Sequence, residues 1–207
     1  MKKKHSNRDF QNRSKFSVER EKSFSVYLTT EELDKIYNLD LASLPSLALA
    51  RDAFIVLCET ALRISDYRKI DLNIRENKGR KYIYLTQTKT GGEVIIPLTV
   101  RMQQILTKYE GKLPKIPEQY INRDIKKVAE LAGIDEVLRW ETTKAGLKYE
   151  GSSPKWKLIS CHTGRRTACS LMYLAGIPVI DIMKLSGHSS QKIFMDYIKV
   201  SKEETAV

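Results

Sequence analysis

Cysteine and histidine are scarce in this chain, with three of each in 207 residues. Cys58, Cys161 and Cys169 form an odd set without CxxC spacing, which excludes a disulfide framework and a cysteine zinc site and leaves buried, reduced thiols as the expectation. No other metal ligand set is present: there is no HExxH or Asp-x-Asp run, and His162 and His188 have no carboxylate close by in the sequence. Long apolar runs are missing too. The stretch Ala53 to Cys58 falls far short of the roughly 20 residues of a spanning helix. Met1-Lys2-Lys3-Lys4 is followed by no apolar segment of the kind that directs export. A cytoplasmic protein with no membrane partner is expected.

Positive charge is abundant. Lys and Arg number 36 against 25 Asp and Glu, a formal net charge of +11, which favours a polyanionic partner and nucleic acid ahead of a membrane surface. Hydrophobic residues make up 42% of the chain, enough for a sizeable core and too many for a disordered protein. The first 23 residues stand apart: they carry eight Lys or Arg against three acidic residues and have almost no hydrophobic pattern. Residues 1–24 are therefore read as a basic arm or linker, partly disordered.

Pattern and punctuation predict a mixed, mainly α fold with a small antiparallel β-sheet. Thr29 and Glu32 have capping-box spacing ahead of a helix reaching about Asn38. A second helix, about Ser46 to Ala61, is apolar nearly all round and so belongs in the centre of the domain. Lys81–Gln87 and Glu93–Leu98 alternate as strands around a glycine-containing tip, Thr88-Lys89-Thr90-Gly91-Gly92, and predict a β-hairpin. Helices follow near 99–110 and 117–131, then a loop or loose hairpin over 135–159. Three short helices end the domain: Thr163 to Ala175, Pro178 to Leu185 and Ser190 to about Lys199.

Cations sit where loops and helix ends would present them. Arg63 follows the buried helix, Lys89 stands at the hairpin tip, and Arg165 and Arg166 lie in the first turn after His162. Guanidinium groups grip phosphate oxygens bidentately. Tyr197 follows His188 by nine residues, about 2.5 turns of one helix, so the two side chains converge only where the helix breaks. Gly187 as a left-handed terminator and Ser189 or Ser190 as the next cap supply that break. Simpler readings stand beside these: Tyr197, spaced with Ile193, Phe194 and Ile198, reads as a core residue, and isolated arginines and lysines read as solvated or ion-paired.

In this order, the residues resemble the tyrosine recombinase (phage integrase) family. Ala61-Leu62-Arg63-Ile64-Ser65-Asp66 resembles its first-arginine motif, and Thr88-Lys89-Thr90-Gly91-Gly92 through Pro97-Leu98 its lysine hairpin. His162-Thr163-Gly164-Arg165 carries His-x-x-Arg, and Leu185-Ser186-Gly187-His188 through Tyr197 resembles the last block. The wording Cys161 to Arg166 is similar to integrases of Bacteroides-type mobile elements. The resemblance covers residues 25–200 and implies the tyrosine recombinase catalytic-domain fold, with residues 201–207 as a tail. Family members usually carry a core-binding domain ahead of this one, so the chain resembles a catalytic fragment of a longer integrase, a natural short protein being the alternative.

The resemblance implies a site-specific recombinase that cuts and rejoins double-stranded DNA at attachment sites through a 3′-phosphotyrosine, in integration or excision of a mobile element. Tyr197 would be the nucleophile. Arg63 and Arg165 would hold the non-bridging oxygens, with His188 adding a hydrogen bond and His162 exchanging a proton. Lys89 would protonate the leaving 5′-oxygen, and Asp66 would orient Arg63. Arg63, Lys89, Arg165 and Arg166 would contact DNA, and the arginines would favour ionisation of Tyr197. No cofactor or metal is implied. The implied partners are DNA, further copies of the chain in a tetramer on DNA, and accessory DNA-bending proteins. A DNA-binding module without turnover, a relaxing topoisomerase and a basic RNA-binding protein compete with this reading, the last leaving the ordered motifs unexplained.

Overall fold

The computed structural model describes residues 24–144, 147–198 and 200. The expected basic arm, up to residue 23, and the expected tail, 201–207, lie outside the described residues. Helix α1 (Thr30–Asn38) starts at the anticipated capping box, in which Glu32 N–H donates to Thr29 Oγ1 (3.3 Å) and Thr29 N–H to Glu32 Oε2 (2.8 Å). The buried ammonium of Lys155 also reaches Glu32 Oε2, at 2.6 Å, and ties this helix start to a segment more than a hundred residues on.

Helix α2 (Pro45–Thr60) is the axis of the domain. Phe54, Ile55, Val56 and Leu57 are fully buried within it. It packs against α5 (Glu118–Leu131) and α6 (Cys161–Leu174). Gly164 lets α6 come close: a Cβ there would sit 3.1 Å from Leu57 Cβ and 3.2 Å from Phe54. Ala61 ends α2 in the left-handed region, φ 54°, and α3 (Ile64–Tyr67) begins three residues later with Arg63 at its N-cap.

The hairpin belongs to a three-stranded antiparallel sheet, β1 (Ile74–Asn77), β2 (Arg80–Thr86) and β3 (Glu93–Pro97). Ile83 pairs with Ile96 and Leu85 with Val94, so alternate residues face the core. Strand β1 was not anticipated; its largely exposed Ile-Arg-Glu-Asn carries no alternation to read. Helix α4 (Val100–Lys108) follows, and the segment expected as a loop or loose hairpin is a long regular one, β4 (Val137–Lys144) with β5 (Leu147–Pro154).

Helix α6 is followed by α7 (Val179–Ser186) and α8 (Gln191–Tyr197). Phe194 and Ile198 bury themselves with Ile182, Met183, Ala168 and Ala61 in a second, smaller core. That core fastens the C-terminal helices to the left-handed end of α2. No helix among the described residues is long and apolar enough to cross a membrane.

Candidate active site

Five of the singled-out residues gather where the ends of α2 and α7 meet α6 and α8. Arg165 is the buried centre, 2% exposed. Its guanidinium donates to Ala61 O at 2.5 Å and to Ser186 O, the carbonyls that close α2 and α7. Helix C-termini carry unsatisfied carbonyls and partial negative charge, so a buried cation is held there without a carboxylate. The left-handed turn at Ala61 leaves that carbonyl available to Arg165.

The break between α7 and α8 works as anticipated. Gly187 caps α7 at φ 67°, and Ser190 caps α8, its side chain accepting from Ile193 N–H. His188 and Tyr197 converge as a result, with ring centroids 4.9 Å apart, and the His162 ring lies 5.8 Å from Tyr197. Tyr197 packs against the second core and turns its hydroxyl outward, donating to His162 O at 3.4 Å. The phenol thus has both the packing of a core residue and the polar neighbours of a reactive one.

Ser186 decides the tautomer of His188. Its single hydroxyl proton faces Ile182 O at 2.7 Å and His188 Nδ1 at 2.7 Å. A carbonyl only accepts, and with the Ser186 proton assigned to Ile182 O, His188 Nδ1 donates its own hydrogen to Ser186 Oγ. The Nε2 of neutral His188 is left with a free lone pair. Burial, aided by Arg165, Arg63 and His162, lowers the pKa of His188 to about 4. His162 is also held below its usual value, by desolvation and then by Arg166 and Arg165. Both rings are neutral proton acceptors at pH 7.

Three expectations need correction. The arginines were expected to favour an ionised Tyr197; Arg166 and Arg165 do draw the phenol down, but burial outweighs them and pushes it up to about 12. Arg166 was expected to contact DNA; its guanidinium is instead taken up by Tyr197 and Val26, donating to Tyr197 O (2.9 Å) and Val26 O (3.5 Å), with the guanidinium carbon 4.6 Å from the centre of the Tyr197 ring. Asp66 was expected to orient Arg63; its Oδ1 accepts instead from the backbone N–H and hydroxyl of Thr88, at 2.8 and 2.6 Å, and so holds the hairpin tip.

Arg63 is half-buried and donates to Gln87 Oε1 at 3.3 Å. Lys89 stands exposed at the tip and shares no hydrogen bond or ion pair with the cluster among the described residues. Gln87 was missed, because an uncharged amide in a strand-like stretch gives no chemical signal in a sequence. The three cysteines are free and buried, and no group of residues suited to a metal occurs among the described ones. The arrangement brings together a protonated phenol, two neutral imidazoles and guanidinium donors, the parts needed to attack a phosphodiester.

Comparison with known proteins gives the family and the fold. The model of the Phage integrase family matches residues 26–204. A search of the curated proteins gives no match. Among solved structures, the chain is similar to the XerH site-specific recombinase bound to its difH substrate in a pre-cleavage complex, with a TM-score of 0.61 and 14% identity over 89% of this chain and 53% of that one. It is similar to the XerA recombinase, TM-score 0.59 and 15% identity over 88% and 62%. It also resembles the Tn1549 transposon integrase in complex with circular intermediate DNA, TM-score 0.52 and 16% identity over 89% and 64%. At these identities the likeness is one of fold, and the chain spans between about half and two thirds of the length of those chains.

Proposed function

The chain belongs to the phage integrase family, and from that premise we propose that it is the catalytic domain of a site-specific recombinase that cuts and rejoins double-stranded DNA at the attachment sites of a mobile element. The observation that carries this reading is the convergence of Tyr197 from α8, His188 from the α7–α8 turn and His162 from α6 around buried Arg165.

Tyr197 Oη attacks the scissile phosphorus. Near pKa 12 the phenol lies roughly 7 kcal/mol from its ionised form at pH 7. An incoming phosphate, itself anionic, makes ionisation harder still, so the proton must leave as the O–P bond forms. His162 and His188, neutral and beside the ring, are the acceptors. Arg63 and Arg165 face the charge that builds on the non-bridging oxygens. As the P–O5′ bond breaks, the Lys89 ammonium gives its proton to the departing oxygen, leaving a 3′-phosphotyrosine and a 5′-hydroxyl. Attack by a partner strand's 5′-hydroxyl reverses these steps and frees Tyr197. Each step exchanges one phosphoester for another, so no nucleotide cofactor is needed.

The net charge of +11 suits a protein whose affinity comes largely from phosphate contacts. The reading includes assembly as a tetramer on DNA, help from DNA-bending proteins and a cytoplasmic, nucleoid-bound setting. The XerH structure is of a recombinase bound to its DNA substrate, which supports a duplex partner here.

The test is a nicked suicide duplex spanning the ends of the encoding element, incubated with the protein without metal. An SDS-resistant protein–DNA adduct that disappears in Tyr197→Phe is expected. Binding without any adduct would favour a module that holds DNA without turnover.

A further inference from the structure

Gln87 is an uncharged residue with 1% exposure at the base of the hairpin tip, and a buried amide has to find partners. Its Oε1 accepts from Arg63 Nη1 (3.3 Å) and from Thr90 Oγ1 (2.8 Å), while its Nε2 donates to Leu185 O (3.0 Å). Its backbone closes the turn, donating to Gly92 O and accepting from Gly91 N–H, both at 2.9 Å. Gly187 presses on the amide so closely that a Cβ there would lie 1.9 Å from Oε1. One side chain thus joins Arg63, the tip that carries Lys89, and the end of α7 that leads into His188.

We propose that Gln87 is a positioning residue that sets the Lys89 tip at a fixed place relative to Arg63 and His188, so that the Lys89 ammonium meets the leaving 5′-oxygen. The inference rests on the recombinase reading. Asp66 grips the tip through Thr88 and Gln87 through Thr90, so the residues on either side of Lys89 are anchored while Lys89 itself is exposed and, among the described residues, makes no hydrogen bond or ion pair. The tip is therefore a mounted arm with one free side chain. An amide is the group the place requires: it offers an acceptor toward Arg63 and Thr90 and a donor toward a carbonyl. A glutamate would set a carboxylate oxygen against Leu185 O, with no N–H to offer that carbonyl.

Leaving-group chemistry separates this role from a merely structural one. In cleavage the Tyr197–phosphorus bond forms, the bond to the 5′-oxygen breaks, and a Lys89 proton goes to that oxygen. A bridging 5′-sulfur departs as a thiolate and needs no proton. Adduct formation is measured with the full chain on the nicked suicide duplex, with either oxygen or sulfur at the bridging position, for wild type and for Y197F, K89A, Q87A and the nearly isosteric Q87E. Y197F should form no adduct on either duplex. Q87A and Q87E should be slower than wild type by about tenfold or more on the oxygen duplex, as a lost general-acid contribution would make them, and should approach the wild-type rate on the sulfur duplex, as K89A should. Sulfur that rescues K89A but neither Gln87 variant overturns the proposal and leaves the recombinase reading intact. So does a wild-type rate for both variants on the oxygen duplex. No adduct from wild type on either duplex overturns the recombinase reading, and the proposal with it.

Discussion

Arg166 and Tyr197 hold each other. The guanidinium lies over the phenol ring, 4.6 Å from its centre, and Nε donates to the carbonyl of the same tyrosine at 2.9 Å. Two adjacent arginines thereby serve different ends: Arg165 reaches the closing carbonyls of α2 and α7, whereas Arg166 fastens the end of α8, where Tyr197 sits.

Arg166→Ala should accordingly destabilise the fold before it affects DNA binding. Loss of a charged hydrogen bond and a buried cation–π contact costs about 2–3 kcal/mol, a fall of roughly 5–10 °C in Tm for a chain of this size. Tyr197→Phe gives up the 3.4 Å bond to His162 O and the hydroxyl's contact with the Arg165 side chain, and should cost about 1 kcal/mol, less than Arg166→Ala. Thermal denaturation by circular dichroism compares the two; an Arg166→Ala protein melting with wild type would refute the fastening role.

Stability should fall with acid because of His188. Its folded pKa, about 4, lies below the ordinary 6.5, so the unfolded chain binds more protons between those values. The contribution is fully present above about pH 6.5 and is lost as pH falls toward 4. Arg165, Arg63 and His162 all oppose protonation there, and His162, itself lowered, adds to the same trend. Urea unfolding from pH 7 to pH 4.5 should show a loss on the order of 1–2 kcal/mol, largely absent in His188→Asn. An equal loss in that variant would assign the effect to other groups.

Much of this was legible in the sequence, and what was not had physical reasons. Helix α2 announced itself by apolar residues all round, and the α7–α8 break by Gly187 and Ser190, so the meeting of His188 and Tyr197 could be argued before any coordinates. Arg166 misled because position in a helix says nothing about what packs on it; its partner carbonyl lies 31 residues later. Asp66 misled similarly, since nearness in sequence to Arg63 was a weaker guide than the long-range bonds to Thr88. The sign of the Tyr197 shift was out of reach, because cations can be counted in a sequence but burial cannot.

Ser186→Ala should release the tautomer of His188. Without the hydroxyl, Nδ1 loses its acceptor and the proton can move to Nε2. Long-range 15N–1H correlation spectra above pH 7 should show a single Nδ1–H form for His188 in wild type and a mixture in the variant. Stability should drop by about 1 kcal/mol, since Ile182 O also loses a donor. A dominant Nε2–H form in wild type would overturn the assignment.

Gly187→Ala combines two penalties that a double-mutant cycle can separate. The left-handed backbone, φ 67°, costs roughly 1 kcal/mol for any residue with a Cβ. The new methyl also collides with Gln87 Oε1 and must displace the amide from Arg63, Thr90 and Leu185, at about 1 kcal/mol for each bond lost. Gly187→Ala alone should therefore cost about 3 kcal/mol or more. In a Gln87→Ala background the collision is gone and only the backbone penalty remains. The two changes should be non-additive by about 2–3 kcal/mol in urea unfolding, the double variant being more stable than the sum of the single losses. Strict additivity would mean that Gly187 is needed for its backbone alone and that the contact with Gln87 yields at no cost.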